Sequence, residues 1–177
     1  SHPLDLFDMS RYKTAANGYQ SSAFIGHNRA ATKGVVNNYN AHPYHFGNIV
    51  GAHNGTLDND CTKELESILG EKFEVDSMAI FAALDKLGVD ETIPLLKGAW
   101  SLVWYDFKEK KLNFIRNDKR PMWRAFSKDC KTMFWASEWP IIEAAVRTVG
   151  HNSGQSPVTE LWSHPEKGFR FMQNTEN

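Results

Sequence analysis

Cysteine is scarce in this sequence. Cys61 and Cys130 are the two among 177 residues, too few for a disulfide framework and without the spacing of a metal knuckle. No apolar run approaches the ~20 residues that a membrane-spanning helix needs. No charged-then-apolar leader opens the sequence, so no signal peptide is expected in it. Neither sign of charge dominates: 20 Lys and Arg stand against 21 Asp and Glu, for a net charge of −1. That balance gives no global electrostatic basis for binding nucleic acid or a membrane surface. Internal repeats and low-complexity tracts are also missing. What is plentiful is core material: 41% hydrophobic residues, with six Trp and eleven Phe. The composition predicts one globular domain over residues 1–177, reduced and cytoplasmic.

Residues 22–29, SAFIGHNR, read as a strand leaving a turn at Asn17-Gly18. An Asn-, Gly- and His-rich loop follows. Residues 47–53, GNIVGAH, read as a second strand, with Asn54-Gly55 punctuating its end. Helices are predicted over 62–69 and 77–87. In the second, Ile80, Phe81, Leu84 and Leu87 fall on one stripe and Asp76 stands at the N-cap. A short helix is expected over 90–96. β-rich runs cover 99–106, 112–116 and 132–137, the first two joined as a hairpin through 107–111. A helix over 139–146 and two short strands in the tail complete the pattern. Strands and helices are segregated along the chain, which predicts an α+β fold with antiparallel pairing.

The chemistry concentrates in residues 27–59, HNRAATKGVVNNYNAHPYHFGNIVGAHNGTLDN. A strand end, a loop and a tight turn can bring a guanidinium (Arg29), a side-chain amide (Asn54) and a backbone N–H (Gly55) to one place. Such a set can hold a carboxylate and an oxyanion together. Asp76, just before an amphipathic helix, could hold an ammonium.

These blocks resemble those of the class II glutamine amidotransferases, a family of N-terminal-nucleophile hydrolases. HNRAATKG is similar to the family's H-T-R-[WY]-A-T-x-G, NAHP to N-A-H-P, and GAHNGTLDN to V-x-H-N-G-x-[IL]-x-N. Val75-Asp76-Ser77 takes the place of [ST]-D-[TS], and Lys97-Gly98-Ala99-Trp100-Ser101 that of G-A-[YF]-[AS]. RNDKRPMW resembles R-D-x-x-G-x-[RK]-P-[LM]-[YW] with substitutions and a deletion, and FWASE resembles F-[AV]-[AS]-S-E. Seven blocks occur in family order over residues 22–138. The resemblance implies a four-layer αββα sandwich of two antiparallel sheets, the architecture of the Ntn hydrolases. It implies L-glutamine as ligand, Arg29 as clamp for its α-carboxylate and Asp76 for its α-ammonium. It also implies that the Asn54 side chain and the Gly55 N–H form an oxyanion hole, with His42 shaping the site. No cofactor or metal is implied. An N-terminal cysteine thiolate would attack the side-chain amide, ammonia would leave toward an acceptor synthase, and water would hydrolyse the thioester.

The sequence departs from this pattern at its start. It opens Ser1-His2-Pro3-Leu4, with Arg29 only 28 positions on. The first strand, with its nucleophile, is therefore expected to lie outside the sequence, leaving this chain inactive alone. Three explanations stay open: the sequence begins inside a longer gene product, it is a natural remnant, or a partner chain supplies the strand. The alternative function is a catalytically dead relative that binds a protein or ligand. Other readings weigh less. Four histidines (27, 42, 45, 53) invite zinc, but no carboxylate or thiolate stands at ligand spacing with them. Cys61 near a helix N-terminus would have a lowered pKa, yet a small helical cysteine is ordinarily packing. Ser1 is a weak nucleophile, and Asn54-Gly55-Thr56 is formally a glycosylation sequon.

Overall fold

The computed structural model describes residues 23–27, 39–127, 132–145, 158–163 and 170–174. Among the described residues, eight strands form two antiparallel sheets. The larger has five strands. Its centre is a pair of nine-residue strands, β2 (Ile49–Leu57) and β3 (Gly98–Asp106), matched along their whole length from Ile49↔Asp106 to Leu57↔Gly98. β1 (Tyr44–Phe46) borders β2, while β4 (Lys111–Arg116) and then β8 (Arg170–Asn174) extend the other side. The smaller sheet has the order β6-β5-β7, with β5 at Trp123–Ser127, β6 at Met133–Ala136 and β7 at Val158–Ser163.

Alternation along each strand sorts the side chains into two cores. Ile49, Leu57, Trp100, Leu102, Trp104 and Ile115 turn to one face of the large sheet. There they meet α1 (Asn59–Leu69) and α2 (Asp76–Leu87). Helix α1 offers a narrow stripe, Cys61 and Leu65, one turn apart, and ends at Gly70 with a left-handed φ of 69°. Helix α2 is buried more widely: Ala79, Ile80, Phe81 and Ala83 have no exposure at all. Two short helical turns, α3 (Val89–Thr92) and a 3-10 turn at Ile93–Leu95, lead back to β3. Helix α2 lies tight on the sheet because Gly51 has no side chain: a Cβ there would stand 2.5 Å from Cε1 of the Phe81 ring. The opposite face of the large sheet carries Ala52, Val103, Leu112 and Phe114, with Met133 and Trp135 of β6 packed against them. Phe114 meets Trp135 edge-to-face at 5.1 Å between ring centroids. The outer side of the small sheet gives Ala125 to a third cluster with Ile142 and Trp139 of the 139–145 helical segment. No described helix is long and apolar enough to cross a membrane.

The antiparallel α+β expectation matches this architecture. Several local expectations are corrected. Residues 23–27 make no ladder, and the rest of the 22–29 run lies outside the described residues. Asn54-Gly55 does not end β2; the strand runs on to Leu57 because β3 pairs with it throughout. Asp76 is the first helical residue of α2, and Val75, extended at φ −134°, takes the N-cap place. β1 and β5 were not anticipated. The β3–β4 hairpin was, and Asp106 Oδ1 closes it by accepting the N–H groups of Lys108 (2.8 Å) and Glu109 (2.9 Å).

Phe81 fills the space between α2 and β2, so Phe81→Ala should cost about 3–5 kcal/mol, the range for large-to-small core changes. Urea unfolding followed by tryptophan fluorescence measures it. A loss below about 1 kcal/mol would mean that α2 is not held by this contact.

Candidate functional site

The site is built on one edge of β2. Trp100 directs both of its backbone groups toward Asn117: its carbonyl accepts the Asn117 N–H (3.1 Å), and its own N–H donates to Asn117 Oδ1 (3.3 Å). In an antiparallel ladder a residue's N–H and C=O face the same neighbour. Trp100 therefore spends nothing on Gly55, its register partner. The bonds flanking this stretch agree, since Asn48 and Asp58, both even-numbered, face β3 through Phe107 and Lys97. The odd residues His53, Gly55 and Leu57 consequently direct their backbone groups to the opposite edge, beyond the end of β1. On that edge the Leu57 N–H donates to Asp76 Oδ2 at 2.7 Å. The Gly55 N–H lies two residues back along it, about 7 Å away at strand rise. Asn54 projects on the face that Ala52 turns toward the small sheet. It is half-buried, and its amide makes no hydrogen bond among the described residues.

Gly55 is a glycine by necessity. Its φ is 145°, and a Cβ would run into the Ala99 carbonyl oxygen and stand 2.9 Å from His53 Nε2. His53 is buried at 2% exposure under α2. Its Nδ1 pairs with Ser77 Oγ at 2.9 Å. The Ser77 N–H donates to Asp76 Oδ1 at 2.9 Å, and a long 3.5 Å contact joins Ser77 Oγ to the same oxygen. Burial holds the His53 imidazole down at about 4. The Asp76 carboxylate pulls it upward, His27 adds to the depression, the Ala99 carbonyl opposes it and Arg120 deepens it. The ring is thus neutral at pH 7. Asp76 is itself buried, with one backbone N–H on each carboxylate oxygen. Since a carboxylate has about four acceptor positions, roughly two remain for another donor.

His42, joined to Pro43 by a cis peptide bond, sits in a row of rings. It lies 4.1 Å from His27 and 4.7 Å edge-on to Tyr44, which in turn faces Phe81. Asn40, fully buried, donates to Glu74 Oε1 at 2.6 Å and so ties the NAHP block to the loop ahead of Asp76. A cavity of about 240 Å³, lined by Asn59, Thr62, Lys63, Phe73, Glu74, Val75 and Asp76, opens beside that loop. Arg29 lies outside the described residues. His45 is set apart, with Nε2 3.1 Å from the Gly47 carbonyl oxygen. Among the described residues no group of three His, Cys, Asp or Glu side chains could hold a metal ion. The expected lowering of the Cys61 pKa is reversed, because burial pushes the thiol up. Its Sγ is engaged between the Leu95 carbonyl and the Lys97 N–H, both at 3.3 Å. His53 was weighed only as a zinc ligand, and Ser77 was not singled out. Their signal was adjacency, since each directly neighbours a residue singled out in a matched block.

No family model matches the chain. Glutamine–fructose-6-phosphate aminotransferase (isomerizing) of Sulfurisphaera tokodaii is 36% identical over 110 residues, covering 54% of this chain and 18% of the relative. The Bacillus licheniformis protein of the same description is 28% identical over 116 residues, 58% of this chain and 19% of the relative. The chain thus spans about a fifth of the length of these relatives. Among solved structures, glutamine phosphoribosylpyrophosphate amidotransferase from B. subtilis, complexed with ADP and GMP, resembles it with a TM-score of 0.55. That match covers 85% of this chain and 34% of the other at 18% identity, a likeness of fold. The chain is partly homologous to class II glutamine amidotransferase domains.

Two measurements follow. Gly55→Ala should destabilise the protein by about 1–3 kcal/mol through backbone strain, read as a lowered urea midpoint; an unchanged midpoint would contradict the close approach of Ala99. For His53, the native state prefers the neutral ring, so below about pH 6.5 the unfolded chain takes up the proton first. The stability contributed is complete above that pH and is lost as pH falls to about 4. At about 1.4 kcal/mol per tenfold, the loss is about 3 kcal/mol. Urea unfolding across this window should show it, and His53→Gln should flatten it. Equal pH dependence in both proteins would remove His53 as its source.

Proposed function

We propose that the chain carries the glutamine-binding and oxyanion-stabilising part of a class II glutamine amidotransferase-type domain, arranged as the four-layer sandwich of the Ntn hydrolases. The observation that supports this best is the common edge of β2. There the Gly55 N–H points off the ladder, about 7 Å from the N–H that fixes the Asp76 carboxylate. Extended glutamine spans five bonds, about 6 Å, from ammonium nitrogen to amide oxygen. Its ammonium fits the remaining acceptor positions of Asp76, and its amide oxygen then falls near Gly55 and the Asn54 side chain. Arg29 takes the α-carboxylate through a bidentate guanidinium, and His42 packs the wall.

In this reading the substrate is the side-chain amide of L-glutamine. A thiolate adds to the amide carbon and charge collects on oxygen. The Gly55 N–H and the Asn54 amide are aimed at that charge. Ammonia leaves for an acceptor outside the chain, and water cleaves the thioester. The family's N-terminal cysteine has no counterpart among the described residues. Cys61 is no substitute, being buried with its sulfur held by backbone groups. Hydrolysis by this route requires that cysteine strand in addition.

Calorimetry tests the binding half directly. Titration with L-glutamine should give a saturable heat that D-glutamine does not. Arg29→Lys should weaken binding at least roughly tenfold, because the point charge of an ammonium cannot reproduce the guanidinium fork. No saturable heat, or an unweakened Arg29→Lys variant, would overturn the proposal. Once the cysteine strand is supplied, Asn54→Ala should lower kcat by roughly 10²–10³ with KM little changed; near-normal kcat would remove Asn54 from the oxyanion hole.

A further inference from the structure

The hydrogen bonds beneath β2 form a closed circuit. From His53 Nδ1 it passes to Ser77 Oγ at 2.9 Å. From the Ser77 N–H it passes to Asp76 Oδ1 at 2.9 Å, and from Asp76 Oδ2 to the Leu57 N–H at 2.7 Å. It closes along the strand through Thr56, Gly55 and Asn54. The residues at its two ends, His53 and Leu57, flank the segment proposed to receive the amide oxygen. Both are tied to one helical turn, the first of α2. Between them only Gly55 shares their face of the strand, and it has no side chain. The His53 ring takes that space, with Nε2 2.9 Å from where a Gly55 Cβ would stand.

We propose that His53 is a positioning residue: through Ser77 it holds the Asn54–Gly55 peptide at a fixed distance from Asp76, so that the two ends of a bound glutamine meet one rigid unit. This rests on the glutamine reading above. Any buried imidazole needs a partner for its nitrogens; what points to positioning is that the Nδ1 partner is the residue adjacent to Asp76 and that the other edge of the ring fills the space at Gly55. The energetic logic is that of preorganisation. A donor pair already fixed against its counter-charge loses little freedom when the ligand arrives.

The test is a titration of the ¹⁵N-labelled chain with L-glutamine, followed by NMR at the Asn54 side-chain amide, the Gly55 amide and the His53 ring nitrogens. All three should shift together. Ser77→Ala should weaken glutamine binding by roughly tenfold, the scale of one lost hydrogen bond in a preorganised site, and Ser77→Thr should restore it. His53→Asn, whose amide can take the place of Nδ1, should stay within about threefold of the parent. Shifts at Asn54 and Gly55 with a silent His53 ring, or a Ser77→Ala variant that binds as the parent does, would overturn this assignment alone. Silence at all three positions would overturn the glutamine reading and this assignment with it. Should the His53 variant not fold, the Ser77 pair decides.

Discussion

The bond from the Leu57 N–H to the Asp76 carboxylate is the constraint on which the rest depends. It joins the last residue of the central strand to the first residue of α2, and both partners are buried. A buried carboxylate is costly unless hydrogen bonds satisfy it, and here two backbone N–H groups do so. The arrangement also places a negative charge at the N-terminal turn of a twelve-residue helix, where the helix dipole favours it. One contact therefore fixes the strand end, the helix start and the charge that the site presents.

Around that contact the fold divides its labour by face. The helix side of β2 is apolar except at His53, and the burial of that ring keeps it neutral. The side toward the small sheet is apolar at Ala52 and polar at Asn54, where the sheet face gives way to the site. Rigidity comes from the β2–β3 pairing, nine residues long on each strand. The groups proposed to meet a ligand stand on that pair and the adjoining helix.

Much of this was legible in the sequence where the signal is local and periodic. The stripe Ile80, Phe81, Leu84 and Leu87 marked α2, and the two β-rich runs on either side of 107–111 marked the β3–β4 hairpin. Of the blocks around Asn54 and Asp76, the fold places the Gly55 backbone and the Asp76 carboxylate along one edge of β2, while Asn54 turns its backbone to the β3 ladder. What was not legible depends on tertiary pairing. Asn54-Gly55 carries a strong turn propensity, yet β3 supplies partners on both sides of it and the strand continues. β5 was hidden because its strand character comes from two neighbours, β6 and β7. Cys61 shows a competition of terms: a helix N-terminus lowers a thiol pKa, but desolvation is the larger effect here.

The parity of β2 has one more consequence. Its even-numbered backbone groups belong to the β3 ladder, while the odd-numbered ones face the site edge, where Leu57 is bound by Asp76. The assignment is set by counting residues, not by their chemistry. A single-residue deletion before His53 would slip the strand by one place, exchange the two sets, turn the Gly55 N–H inward and carry His53 and Leu57 to the opposite face of the sheet. Sequence drift in this stretch is thus tolerable by substitution at many positions but not by change of length. The reading frame of the ladder is itself part of the site.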